Sequence, residues 1–207
     1  MKKQLIVLST ALLLITGCNP KPKPVVKEPI KENNETVIIK VPEVKEPILG
    51  KYDWRMNDEL ISQSTASRVV VVKSKRVLVL LDDAGNILSR HRISLGKNNI
   101  GTKLKQGDYK TPEGVYKIID KRSDPVYYKE ILISYPNQED RERSRSLGHS
   151  TGGGITIHAQ VPWNWDGHGN DFTLSNDWTE GCMAVTNKGM DTIWDMLPLG
   201  TPIEIRE

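Results

Sequence analysis

The chain has 207 residues and carries 29 lysines and arginines against 26 aspartates and glutamates, a formal charge of +3, far short of the basic excess that a nucleic-acid surface demands. Apolar residues make up 37% and charged residues 27%, with a mean hydropathy of -0.45, which suits one modest hydrophobic core rather than two. Only two cysteines occur, Cys18 and Cys182, too few for a disulfide-dense scaffold.

Met1-Lys2-Lys3 is a short basic start, and the apolar run Leu5 to Ile15 that follows is too short to cross a bilayer as a helix, which takes about 20 residues. It fits the apolar region of an export signal. The run ends in Ile15-Thr16-Gly17-Cys18, which resembles the lipobox of bacterial lipoproteins. That resemblance implies removal of residues 1–17, acylation of Cys18, and a mature chain of net charge +1, because Lys2 and Lys3 go with the leader. Lipid chains anchor by burying CH₂ groups at roughly 0.8 kcal/mol each, so no attraction to anionic lipid is needed. The expected place of the protein is therefore outside the cytoplasm, held to a bacterial membrane and facing the cell wall.

Residues 18–50 hold six of the twelve prolines, among alternating lysines and glutamates. They read as a solvated tether that could extend on the order of 100 Å at roughly 3.1 Å per residue. Residues 51–67, with Tyr52, Trp54, Met56, Leu60 and Ile61, are expected to form a short amphipathic helix connecting to a folded domain over residues 68–207.

From Arg68 onward the pattern is mostly strand. Val69 to Val72 and Val77 to Leu81 are aliphatic runs separated by the polar Lys73-Ser74-Lys75-Arg76, as in a hairpin. Asp82-Asp83-Ala84-Gly85-Asn86 has turn chemistry, and Ile87 to Leu95 resumes as a third strand. Further strands are expected at Gly114 to Ile119, Ile131 to Ser134, Ile155 to His158, Met183 to Val185 and Pro202 to Ile205. One helix is expected from Lys188 to Leu197, where Met190, Ile193, Trp194 and Leu197 share a face and Pro198 stops it. The fold class is mainly β, a sandwich or barrel-like domain with one or two short helices.

With Cys18 acylated, Cys182 is a thiol without a disulfide partner. Packed in a core it would be an ordinary small apolar residue. Its context, Thr179-Glu180-Gly181-Cys182-Met183-Ala184-Val185, is instead that of a tight turn entering a strand, where a glycine lets a substrate carbonyl approach and amides near residues 180–182 can hold an oxyanion. A nucleophilic thiol needs a base. Of the four histidines, His91 is flanked by Arg90 and Arg92 and expected in solvent, His149 is in a charged loop, and His168 is in the loop Gly167-His168-Gly169-Asn170. His158 closes the strand Ile155-Thr156-Ile157-His158 and is the favoured base. No C-x-x-C or H-x-x-x-H pair is present, so neither a metal nor another cofactor is expected.

Gly152-Gly153-Gly154-Ile155-Thr156-Ile157-His158, a variable loop, and Thr179-Glu180-Gly181-Cys182 together resemble the signature of the L,D-transpeptidase catalytic domain, the YkuD-like family. Thr111-Pro112-Glu113-Gly114 is similar to that family's Thr-Pro-x-Gly segment, and Tyr135-Pro136-Asn137 to an element of one subgroup. The resemblance runs from about Arg68 to Ile205. It implies Cys182 as nucleophile, His158 as its proton acceptor oriented by the Ala159 carbonyl, an oxyanion site at Glu180 and Gly181 supported by Thr179, and Tyr135 on the donor side. Trp163 and Trp165, in the loop between the two motifs, become candidates for an acceptor wall. Two positions depart from the family pattern: Glu180 stands where His is usual, and Ala184 where Arg or Asn is usual.

The implied reaction is acyl transfer on peptidoglycan stem peptides through a Cys182 thioester, releasing D-alanine, by an enzyme expected to be a monomer. A hydrolase of the same fold, cleaving stem-peptide or protein-to-peptidoglycan links, resembles this Thr-x-Gly-Cys variant equally well. A non-catalytic peptidoglycan-binding lipoprotein is a third reading; it has no use for an isolated Cys182. The run Glu139 to Arg145 could meet stem carboxylates but reads first as a solvated loop.

Overall fold

The structure is a computed structural model and describes residues 58–160 and 173–207. The leader, Cys18, the tether, and Trp163, Trp165 and His168 lie outside the described residues.

Nine strands follow in the order β1 (Asp58–Leu60), β2 (Arg68–Val72), β3 (Val77–Leu81), β4 (Ile87–Arg92), β5 (Gly114–Asp124), β6 (Tyr128–Ile133), β7 (Thr156–His158), β8 (Met183–Ala184) and β9 (Pro202–Arg206), with helices α1 (Gln138–Ser146) and α2 (Asn187–Met196). In space the strands run β1-β4-β3-β2-β9-β5-β6-β7-β8. The mainly β domain with short helices is as the residues foretold. Its pairing is no simple meander, because β2 lies parallel to β9 and β7 parallel to β8.

The uniform valine and leucine content of β2 and β3 reflects burial on both faces, since alternation is needed only where one face meets water. Val69, Val71, Leu78 and Leu80 point into the main core, while Val70, Val72, Val77, Val79 and Leu81 form a second cluster with Ile87. β5 is the corner of the fold. Its residues Gly114 to Lys117 pair with β9, and past an irregularity between Ile118 and Asp120 the rest pairs with β6, so one long strand serves two sheets. Ser94, just past β4, bridges Ala184 in β8, which closes the circuit of strands around the core.

α2 starts where Thr186 Oγ1 accepts the Gly189 N–H at 2.8 Å, and it buries Met190, Ile193 and Met196 against the core. Trp194 stays at the rim, where Lys121 Nζ lies 4.8 Å from its ring centroid.

Three expectations are corrected. The connecting segment is not helical over its described part: Asp58–Leu60 is an edge strand on β4, because Asp58 is needed as a buried acceptor. Its carboxylate meets His91 Nδ1 at 2.8 Å and Thr186 Oγ1 at 2.6 Å. His91 is accordingly buried rather than solvated, with Nε2 3.0 Å from Ser89 Oγ. The charged run Glu139 to Arg145 forms helix α1, since Asn137 and Asp140 make a reciprocal capping box. Asp140 is buried, where it also accepts from Tyr116 Oη at 3.0 Å.

Candidate active site

The parallel pair β7 and β8 brings the two sequence motifs together. Ile157 is opposite Met183 and His158 opposite Ala184, so Thr156 and His158 project on the face that also carries Cys182 and Ala184. A cleft of about 510 Å³ opens there, lined by Cys182, His158, Thr156, Glu180, Tyr127 and Trp178, with Gly152 to Gly154 along one rim.

Cys182 sits partly exposed at the floor of this cleft. Thr156 Oγ1 donates to its Sγ at 3.6 Å, and Sγ is 3.7 Å from the Gly154 carbonyl, an arrangement in which the thiol donates to Gly154 and accepts from Thr156. Burial pushes the Cys182 thiol above its ordinary value, partly offset by hydrogen bonds from Thr156. The resting Cys182 side chain is therefore a thiol.

His158 is buried, with its ring 4.5 Å from that of Tyr127 and 5.5 Å from that of Trp178. Its Nδ1 lies 2.8 Å from the Ala159 carbonyl oxygen. A carbonyl can only accept, so Nδ1 bears the hydrogen and Nε2 keeps its lone pair. Desolvation lowers the imidazole to about 4. A neutral imidazole of fixed tautomer is what a general base requires at neutral pH.

The turn before Cys182 is held at close quarters. Gly181 has φ of +136°, and a Cβ there would lie 2.6 Å from the Lys110 carbonyl oxygen, so only glycine fits. Thr179 Oγ1 accepts the Gly181 N–H at 3.1 Å and donates to the Cys182 carbonyl at 2.8 Å. The Gly181 amide expected at an oxyanion site is thus engaged by Thr179 in this structure. The Cys182 N–H has no acceptor among the described residues and remains available to a developing oxyanion. Glu180 is exposed at the mouth of the cleft.

The upstream motif supports this turn. Thr111 Oγ1 accepts the Gly96 N–H at 3.0 Å, and Gly96 bridges Thr179. Asp108 accepts the amides of Leu104, Lys105 and Lys110 and the ammonium of Lys103 at 2.7–3.1 Å, which fixes the loop carrying Gln106 and Gly107, a second wall of the cleft. Tyr135 is a correction: it is buried, edge-on to Tyr116 at 5.8 Å, and its hydroxyl donates to the Thr151 carbonyl at 3.1 Å. It supports the glycine-rich rim from beneath, because the in-and-out alternation of β6 carries on past Ile133 and turns it inward.

Thr156, Tyr127, Trp178 and Glu130 were not singled out by sequence. Thr156 stands two residues before His158 in a strand, and that period of two was a usable signal. Glu130 is buried in the cleft wall, opposite His158 in the β6–β7 ladder and bonded to Arg122. Tyr127 and Trp178 come from connecting segments whose sequence carries no positional signal.

The L,D-transpeptidase catalytic domain (YkuD) description matches residues 66–205. YafK of Escherichia coli (strain K12) is 29% identical over 134 residues, covering 62% of this chain and 46% of that protein. The crystal structure of the helical cell shape determining protein Pgp2 from Campylobacter jejuni superposes with a TM-score of 0.52 at 26% identity, over 70% of this chain and 48% of that one. Its K307A mutant gives 0.53 at 25% identity, over 71% and 49%. The chain thus spans about half the length of these relatives. With the match running from β2 into β9 and taking in both halves of the cleft, the chain belongs to the L,D-transpeptidase catalytic domain family.

Proposed function

We propose that the protein is a cysteine acyltransferase acting on peptidoglycan stem peptides. The observation that carries this is the placing in one cleft of a thiol at the entry to β8 and a neutral, tautomer-fixed imidazole on the neighbouring strand β7. Cys182 Sγ gives its proton to His158 Nε2 and attacks the carbonyl carbon at the L-to-D bond of a tetrapeptide. The Cys182 N–H holds the oxyanion. The C–N bond then breaks, D-alanine leaves with the proton returned by His158, and a thioester remains. An amine of a second stem attacks the thioester, loses its proton to His158, and frees the thiol.

Water in place of the amine would make the enzyme a hydrolase. Glu180, an exposed carboxylate at the mouth where the family usually has His, is the observation that favours this second reading. Incubation with tetrapeptide muropeptides, followed by mass analysis, separates the two. Loss of D-alanine with a cross-linked product supports transfer, loss with a shortened stem supports hydrolysis, and an unchanged substrate contradicts both. The similarity to a cell shape determining protein supports a role in shaping the wall. The Ile15-Thr16-Gly17-Cys18 sequence supports acylation at Cys18 and a tethered enzyme reaching the wall from a membrane.

A further inference from the structure

A second cavity, of about 330 Å³, lies beside the active-site cleft and is lined by Arg141, Arg145, Gly148, His149, Ser150 and Thr151. The two are continuous along the backbone: Thr151 lines this cavity and the next residue, Gly152, lines the cleft. Consecutive Cα atoms are about 3.8 Å apart, so the two cavities adjoin where Thr151 meets Gly152 at the end of the glycine rim.

Its chemistry is cationic and donor-rich. Arg141, Arg145 and His149 are spaced four apart, so the two arginines share one flank of α1 and His149 follows in the turn after it. Arg145 and His149 are exposed, and Arg145 has no carboxylate partner among the described residues. Two of the helix's three acidic groups are engaged elsewhere, Asp140 with Arg143 at 3.2 Å and Glu142 with Gln138 Nε2 at 2.7 Å, and the third, Glu139, is in the first turn, away from Arg145. Basic residues in a last turn complement the helix dipole. That accounts for neither a histidine beyond the helix nor a cavity shared with it.

We propose that Arg141, Arg145 and His149 form a carboxylate-reading subsite that takes the acidic residues of the peptide whose carbonyl reaches Cys182. This rests on the stem-peptide reading above and adds to it the part of the substrate that is read: free carboxylates a few residues from the scissile bond, spanned at about 3.3 Å per extended residue. Guanidinium groups suit this task because they bind carboxylates through paired N–H donors.

The test uses a rhodamine-labelled tetrapeptide carrying a D-glutamate carboxylate and its counterpart with that carboxylate amidated. Binding to the full chain with Cys182→Ala is followed by fluorescence anisotropy. The expected result is a loss of affinity for the acidic peptide of at least about fivefold on adding Arg141→Glu and Arg145→Glu, diminishing with added salt. The amidated peptide should lose little, and Lys117→Glu with Lys188→Glu, on exposed positions elsewhere, should leave both affinities unchanged. Equal affinity of the arginine variant and its parent for the acidic peptide would overturn the proposal, as would equal losses for both peptides. Displacement of both peptides alike by inorganic phosphate would also overturn it, by showing a general anion site. Acidic-peptide binding that depends on the arginines, with no turnover by the unmodified enzyme, would uphold the subsite while removing the acyl-transfer reading.

Discussion

At Cys182 burial opposes ionisation of the thiol, and the backbone N–H and hydroxyl of Thr156 favour it. Burial opposes the thiolate, and the Thr156 hydroxyl at 3.6 Å is a direct donor to it. Thr156→Val keeps the β-branched shape and removes that donor, so the pH profile of Cys182 alkylation by iodoacetamide should move to higher pH, with Thr156→Ser restoring it. An unmoved profile would contradict the assignment. His158 makes a prediction of the opposite sign. Its folded value of about 4 lies below the ordinary 6.5, so the unfolded chain binds more protons between those limits and stability rises with pH across that window. The loss on acidification from above 6.5 to below 4 is roughly 3 kcal/mol. Denaturant titrations of His158→Gln should show a correspondingly flatter dependence; an identical slope in both proteins would sink this. Cys182 and His158 were readable from their neighbours in the chain, whereas the engagement of the Gly181 amide by Thr179 was not, because a side chain's choice of partner in a turn follows from geometry.

Among the elements, the turn into β8 and the edge strand β1 are where local sequence and tertiary contact disagree most. Gly181 and Gly107 both have positive φ, at +136° and +76°, but only at Gly181 would a Cβ meet backbone. Gly181→Ala should therefore cost about 2–4 kcal/mol and Gly107→Ala about 1 kcal/mol, as read from urea midpoints; equal costs would contradict the close approach to Lys110. β1 is three residues long and scarcely apolar, so its place comes from Asp58, which joins β1, His91 of β4 and the Thr186 cap of α2. Removing the carboxylate leaves two buried groups short of a partner, so Asp58→Ala should destabilise by about 2–4 kcal/mol. A change below about 0.5 kcal/mol would show the network to be dispensable. The apolar spacing 190, 193, 194, 197 was enough to find α2, and the aliphatic runs were enough to find β2 and β3. Helix α1 was hidden because its inward face is Asp140 and Ser144, polar residues that hydrophobic periodicity cannot see, although Asn137 and Asp140 carried the capping signal.

Over the whole domain, strands β2 to β9 are foreshadowed in the sequence, β1 is not, and their order is left to long-range pairing. The parallel contacts of β2 with β9 and β7 with β8 join residues far apart in the chain, and the division of β5 between two partners has no local signature. The pairing of β7 with β8 also builds the candidate site, since His158 ends β7 and Cys182 immediately precedes β8. A lipid anchor at Cys18 would set where this domain works, and Cys18→Ser should then shift the protein from the membrane to the soluble fraction after cell lysis; retention of the variant on membranes would contradict acylation there. Acyl transfer of the kind proposed requires that Cys182 carry an acyl group during turnover. It is tested most directly by acid-quenching the full chain seconds after mixing with a tetrapeptide muropeptide and measuring its intact mass. The expected result is an added mass equal to the peptide less D-alanine, mapped to Cys182 and absent in Cys182→Ala. Product formation with no such adduct, or an adduct that persists in Cys182→Ala, would contradict it.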